Sequence, residues 1–146
     1  MSEYLNQCIH KAKQYLANAS VVAATEAPAG AVTSSYYAFF WLVRGLLYEK
    51  GVTTKRNSGA REMFALHYIK PGLIPKHFYD SSELLFEKRQ FVDYDIDRDS
   101  HPDEVAHLIA LSTEFLNYVK QHHTFLSAAS AADNAHDGGD GAEKGA

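Results

Sequence analysis

Apolar side chains recur at helical spacing in five stretches of this chain, and one of the five is apolar on nearly every side. That stretch is residues 33–51, TSSYYAFFWLVRGLLYEKG. On a 3.6-residue period one broad face carries Val32, Tyr36, Phe39, Phe40, Val43, Leu46 and Leu47. A second, narrower row carries Tyr37, Trp41, Arg44 and Tyr48. A helix apolar all round belongs in the centre of a bundle or in a membrane. The uncharged run 27–43 contains Pro28, Gly30, Thr33, Ser34 and Ser35, so it is too short and too polar to span a bilayer. The pattern therefore predicts a central bundle helix with partners on both faces, closed by Gly51 at its C-terminal end with Lys50 in the last turn.

The other four stretches fall around it. Residues 4–24 place Leu5, Cys8, Ile9, Ala12, Leu16 and Ala19 near one face, with Ser2 and Glu3 as a capping start. Pro28 and Gly30 separate this helix from the central one. A third helix is expected over 60–69, with Ser58 as its N-cap and Lys70, Pro71 and Gly72 as its stop. A fourth runs from about 76 to 94, with Phe78, Leu84, Leu85, Phe91 and Val92 apolar. The acidic run 93–99 interrupts the pattern. Ser100 is then placed to cap a last helix that has Pro102 near its start and Asp103 and Glu104 in its first turn, running to about residue 125. No strand pattern and no long repeat is visible. The fold class is all-α, an up-and-down bundle of about five helices. Residues 1–126 form the domain, and 127–146, rich in Ala, Ser, Gly and Asp, form a disordered low-complexity tail.

Charge narrows the functional classes. The formal net charge is −4, but the tail holds −3 of it, leaving thirteen basic and fourteen acidic side chains in residues 1–126. Such a body exerts no general pull on nucleic acid, so a nucleotide or RNA contact has to come from a local patch. Cys8 is the sole cysteine, which excludes an internal disulfide and a thiolate metal cluster. The opening residues MSEYLNQCIHKAK lack the basic-then-apolar layout of a signal peptide, and the expected address is the cytoplasm.

Four constellations carry candidate chemistry. Arg89, Asp93 and Tyr94 end the fourth helix. They read either as a phosphate-and-base contact or as an ion pair between residues one turn apart. The row Tyr37, Trp41, Arg44 and Tyr48 has the amphipathic aromatics and arginine enriched in interfaces, and it serves equally as a surface covered by another helix of the same chain. Lys50, Lys55, Arg56 and Arg61 gather basic charge after the central helix, fit for a phosphate backbone or simply for solvation. From Asp93 to Glu104 the oxygens match a calcium-loop spacing, but Arg98 stands where the sharp turn needs glycine, so a solvated acidic linker is the better reading. The histidines show no zinc-ligand spacing; no metal and no cofactor is expected.

The ordered set Ser35-Tyr36-Tyr37-Ala38-x-Phe40, Leu46-Leu47-x-x-x-Gly51, Ser58-Gly59 before Phe64, Tyr68-Ile69-Lys70-Pro71-Gly72 and Arg89-x-x-x-Asp93-Tyr94 resembles the HEPN family in its small stand-alone prokaryotic form. The match covers roughly residues 4–125. The resemblance implies a helical bundle that forms homodimers and works beside a minimal nucleotidyltransferase in toxin–antitoxin or related pairs, as a nucleotide- or RNA-binding or interaction module. Many members are metal-independent ribonucleases using an arginine and a histidine four to six residues apart, the arginine holding phosphate and the histidine moving protons. Here Arg89 is followed at 94–96 by Tyr, Asp and Ile, and the next histidine is His101. The motif is incomplete, which turns the expectation from cleavage toward binding, with a HEPN-type ribonuclease toxin as the alternative. Arg61 and His67 have the spacing, but on one continuous helix six steps turn them about 240° apart.

Overall fold

The computed structural model describes residues 1–25, 27–94 and 101–137, without the side chains of 93–94 and 129–137. Among the described residues there are five α-helices, one π-helical turn and no strand. The helices are α1 (Glu3–Ala23), α2 (Ala29–Glu49), α3 (Asn57–Phe64), α4 (Lys76–Tyr94) and α5 (Pro102–Asp137), and the π turn is Ala65–Ile69. The all-α bundle expected from the pattern is the fold observed.

Long-range contacts set the helix directions. The start of α1 meets the end of α2 where the Ser2 amide donates to Glu49 Oε2 at 3.1 Å. The end of α1 meets the start of α2 where Asn18 donates to Ser34 Oγ at 2.8 Å. The two are antiparallel, as a short connection requires. Ser112 donates to the Ser35 carbonyl and Ser127 to Glu49 Oε1, so α5 runs parallel to α2. Contacts of His77 with Glu114 and of Lys88 with Glu104 make α4 antiparallel to α5. The result is an up-and-down alternation of α1, α2, α4 and α5, with α2 touching α1, α3, α4 and α5.

That central position explains why α2 is apolar all round. Tyr36, Phe39, Phe40, Leu42, Val43, Leu46 and Leu47 are buried. Phe39 stacks on Phe115 of α5 at 4.2 Å between ring centroids, and Phe64 and Phe78 close around Phe115 at 5.7 and 5.1 Å. Stacking of this kind adds to the area that the rings remove from water.

The helix ends follow their local chemistry. Ser2 caps α1 by accepting from the Leu5 amide at 3.0 Å, as expected. At the end of α2, Gly51 adopts φ 74°, its amide donates to the Tyr48 carbonyl and that of Val52 to the Leu47 carbonyl, both at 2.9 Å. This is the Schellman closure, with Val52 buried as its apolar plug. Lys50 does not project from the last turn. It is 4% exposed and lies over the Tyr68 ring at 5.1 Å.

Some expectations about the ends are revised, and others fall outside the described residues. Helix α3 starts at Asn57, one residue before the expected cap Ser58, and no side chain caps it. The continuation to residue 69 is not α-helical. The Lys70 amide reaches the Ala65 carbonyl five residues back at 2.8 Å, which widens the turn and lets the buried Tyr68 donate to the Leu46 carbonyl. Helix α5 passes residue 127, where the expected tail begins, although Leu126 is its last buried apolar residue among those described. Ser100 and the acidic positions 95–99 lie outside the described residues, as do tail residues 138–146.

Candidate functional site

The two constellations that the pattern kept apart, the end of α4 and the second row of α2, are joined in space. Arg89 Nη2 donates to the Tyr37 hydroxyl at 3.0 Å. Its guanidinium lies 4.6 Å from the Tyr36 ring centroid and 4.9 Å from that of Tyr37, a double cation–π seat. The Tyr36 hydroxyl accepts from Asn57 Nδ2 at 2.6 Å. Asn57 Oδ1 in turn accepts from Arg44 Nη2 at 2.7 Å and Nε at 3.2 Å, and Arg44 Nη1 donates to the Thr54 carbonyl at 2.7 Å. One polar chain therefore runs from α4 through α2 and the head of α3 to the loop after α2. Asp93 and Tyr94 stand at the end of α4, but their side chains are outside the described residues.

The row itself borders a groove. Tyr4, Tyr15, Tyr37, Phe40, Trp41, Arg44, Lys55 and Asn57 line a cleft of about 570 Å³ between α1, α2 and the head of α3. Among the described residues its lining includes two cations, Arg44 and Lys55, and no carboxylate. A second hollow of about 240 Å³ shares Tyr4 and Arg44 and extends toward Tyr48, which is 49% exposed. Within this face Tyr15 meets Tyr37 at 5.6 Å, Tyr4 meets Tyr48 at 4.6 Å, and the Lys11 ammonium sits 4.7 Å above Trp41. The four row residues are thus neither wholly covered by the chain nor laid out as a flat patch.

Below the groove Cys8 is buried, and burial pushes its thiol up to about 11, only partly countered by the Tyr4 hydroxyl and the charges of Arg44 and Lys11. It is not a thiolate nucleophile at neutral pH. Burial, with Cys8 beside it, also raises the Tyr4 hydroxyl.

The family model for the HEPN domain matches residues 5–122. The chain belongs to the HEPN family. A Methanocaldococcus jannaschii protein that bears the name "Putative toxin" is 29% identical over 118 residues, 81% of this chain and 80% of that protein. A Thermotoga maritima protein named as a UPF0332 protein is 31% identical over 84 residues, 58% of this chain and 64% of that protein.

Much of the HEPN resemblance rests on residues that build the bundle. Ser35, Tyr36, Ala38 and Phe40 are buried, Gly51 and Gly72 hold positive φ, and Tyr68 anchors the π turn. Tyr37 and Phe40 are the matched residues that line the groove, and Arg89 stands against it through Tyr37. The basic cluster disperses: Lys50 is buried and Arg61 lies over Phe86 at 4.4 Å, leaving Lys55 and Arg56 exposed. Arg61 lies on α3 and His67 in the π turn, so the two do not share a single continuous α-helix. Among the described residues no cluster of histidine, cysteine or carboxylates suits a metal, and no helix is long and apolar enough to cross a membrane. Sequence reasoning missed Asn57, the hub of the polar chain. Its place just ahead of Ser58-Gly59 was the available signal.

Proposed function

We propose that this HEPN chain is a binding module for a nucleotide or RNA. It acts in the cytoplasm as a homodimer beside a minimal nucleotidyltransferase-like partner, in a toxin–antitoxin-type pair. The observation that carries the reading is the Arg89–Tyr37 contact, which sets a cation against the wall of an aromatic groove that, among the described residues, holds two further cations and no carboxylate. Phosphate is drawn by such charge, and the ring faces suit bases. The half-open row of Tyr37, Trp41, Arg44 and Tyr48 supports a twin subunit placed opposite, with two grooves bordering one cleft. The toxin in the name of the Methanocaldococcus relative supports the paired system. Binding is favoured over catalysis because Arg89 has no histidine at the motif spacing.

The test incubates purified protein with single-stranded RNA and follows both binding and chain length, beside Arg89→Ala. Intact RNA bound by the wild type and several-fold more weakly by the variant is the expected result. Cleavage that disappears in the variant would replace binding by the ribonuclease reading. A strict monomer in sedimentation would remove the shared cleft.

A further inference from the structure

We infer that the groove between α1 and α2 seats one unpaired nucleotide unit, its base against Trp41 and Tyr37 and its phosphate on Lys55 and Lys11. This rests on the nucleotide- or RNA-binding reading above and assigns the ligand a place within that face. Three observations meet here. The walls include five aromatic side chains, of which Tyr4, Tyr15, Tyr37 and Trp41 are half-buried and so held in place while still reachable. Among the described residues the charge lining the groove is of one sign, carried by Arg44 and Lys55. Its volume, about 570 Å³, lies in the range of small-ligand sites.

Division of labour follows from what each cation already touches. Arg44 is occupied by Asn57 and the Thr54 carbonyl, so it stiffens the floor and contributes its field. Lys55 is exposed at the rim. Lys11 is exposed and rests over the Trp41 ring at 4.7 Å. A cation–π contact at an exposed site is weaker than base–aromatic stacking, so an arriving base displaces the ammonium, which is then free to meet the phosphate. An acidic peptide would satisfy the cations but leave the ring faces without planar partners; a nucleotide satisfies both. The near-neutral body of the chain needs such a local patch to bind any polyanion at all.

Trp41 is the single tryptophan of the chain, so its emission reports this groove alone. Titrate the full-length protein with a 5′-labelled oligoadenylate of about 10 nucleotides, reading Trp41 emission and label anisotropy together, with AMP and an RNA duplex as separate arms. Saturable quenching that tracks the anisotropy is expected, with Trp41→Ala weakening binding about 10-fold and the exposed-loop change Lys55→Ala about 3-fold. Quenching by AMP as strong as by the oligomer assigns a free nucleotide; much tighter oligomer binding assigns a strand. If the oligomer binds while Trp41 emission stays unchanged and Lys55→Ala has no effect, the groove is not the seat, although the binding function stands. If neither ligand binds, both readings fall. Trp41 emission shielded from acrylamide in the free protein would show that the twin fills the groove, and that also overturns the inference.

Discussion

Arg89, near the end of α4, donates to the hydroxyl of Tyr37 on α2 across 52 residues of sequence, at 3.0 Å, with its guanidinium also laid against that ring. The contact ties the end of α4 to the central helix. A double-mutant cycle with Tyr37→Phe and Arg89→Ala, measured by urea unfolding, isolates the hydroxyl bond and is expected to return a coupling of about 0.5–1.5 kcal/mol. Tyr37→Phe alone keeps the ring and is expected to lose only about 0.5–1.5 kcal/mol. Additive single effects would show that the two side chains do not hold each other.

Asn57 is the second joint. Its amide accepts from Arg44 twice and donates to Tyr36, so Asn57→Ala strands two side chains of α2. The expected loss is about 2–3 kcal/mol. Asn57→Asp keeps both acceptor contacts with Arg44, now charge-assisted, and gives up the donation to Tyr36. It is therefore expected to be the milder change in the same unfolding measurement, and the reverse order would place the weight on Tyr36.

These two joints also mark where the sequence stops being informative. The all-round apolarity of α2, the Ser2 cap and the Gly51 closure are local properties, and each is visible in the spacing of its own neighbours. The π turn is not. It exists because Tyr68 reaches the Leu46 carbonyl, 22 residues away, and period alone registers only that 60–69 is helical. Ser58 looked like the cap of α3 because serine favours that position. The competing fact is that the preceding Asn57 is drawn into the Arg44 and Tyr36 bonds, which start the helix earlier. Lys50 suited a helix end by charge, yet burial over Tyr68 decided its place. For the site, the residue types were legible at Arg89 and along the Tyr37 row. That they form one face was not, since it depends on α4 returning antiparallel to α2.

At Gly45 α1 packs tightly against α2. A Cβ built there would stand 2.7 Å from Leu5 Cδ1 and 3.0 Å from Cys8 Cβ. Alanine gains about 1 kcal/mol of helix propensity, but overpacking costs about 1–3 kcal/mol, and the Cys8 Cβ belongs to the rigid root of its side chain. Gly45→Ala is thus expected to lower stability by up to about 2 kcal/mol, read as a lower melting temperature. A stabilised variant would mean that α1 yields freely.

Cys8 sets a limit at alkaline pH. Its thiol is raised from 9.0 to about 11, with burial as the leading cause. A group raised in the folded state contributes stability that is complete below its unfolded value and declines as pH rises through the folded one. The wild type is therefore expected to lose stability between about pH 9 and 11 relative to Cys8→Ser, whose hydroxyl does not ionise there. Alkylation of the native protein at neutral pH is expected to be slow and to accelerate only on unfolding.

Glu49 sets the corresponding limit in acid, and here the sign depends on which influence prevails. Burial alone would raise its carboxyl, but hydrogen bonds from Ser127 and from the Ser2 hydroxyl and amide, together with the positive N-terminus, hold it below its ordinary 4.5. The carboxylate thereby joins the start of α1, the end of α2 and the far part of α5. A depressed value means that the stabilisation is present above the unfolded pKa, begins to fail as pH falls past about 4.5, and is gone below the folded one. Glu49→Gln keeps an acceptor for Ser127 or Ser2 but carries no charge, so at pH 7 it is expected to cost about 1–2 kcal/mol. Urea unfolding of both proteins from pH 7 down to about pH 3 should show the two curves converging, because protonation makes the wild-type group neutral as well. A gap that stays constant with pH would mean that the three-helix junction depends on the shape of the side chain and not on its charge.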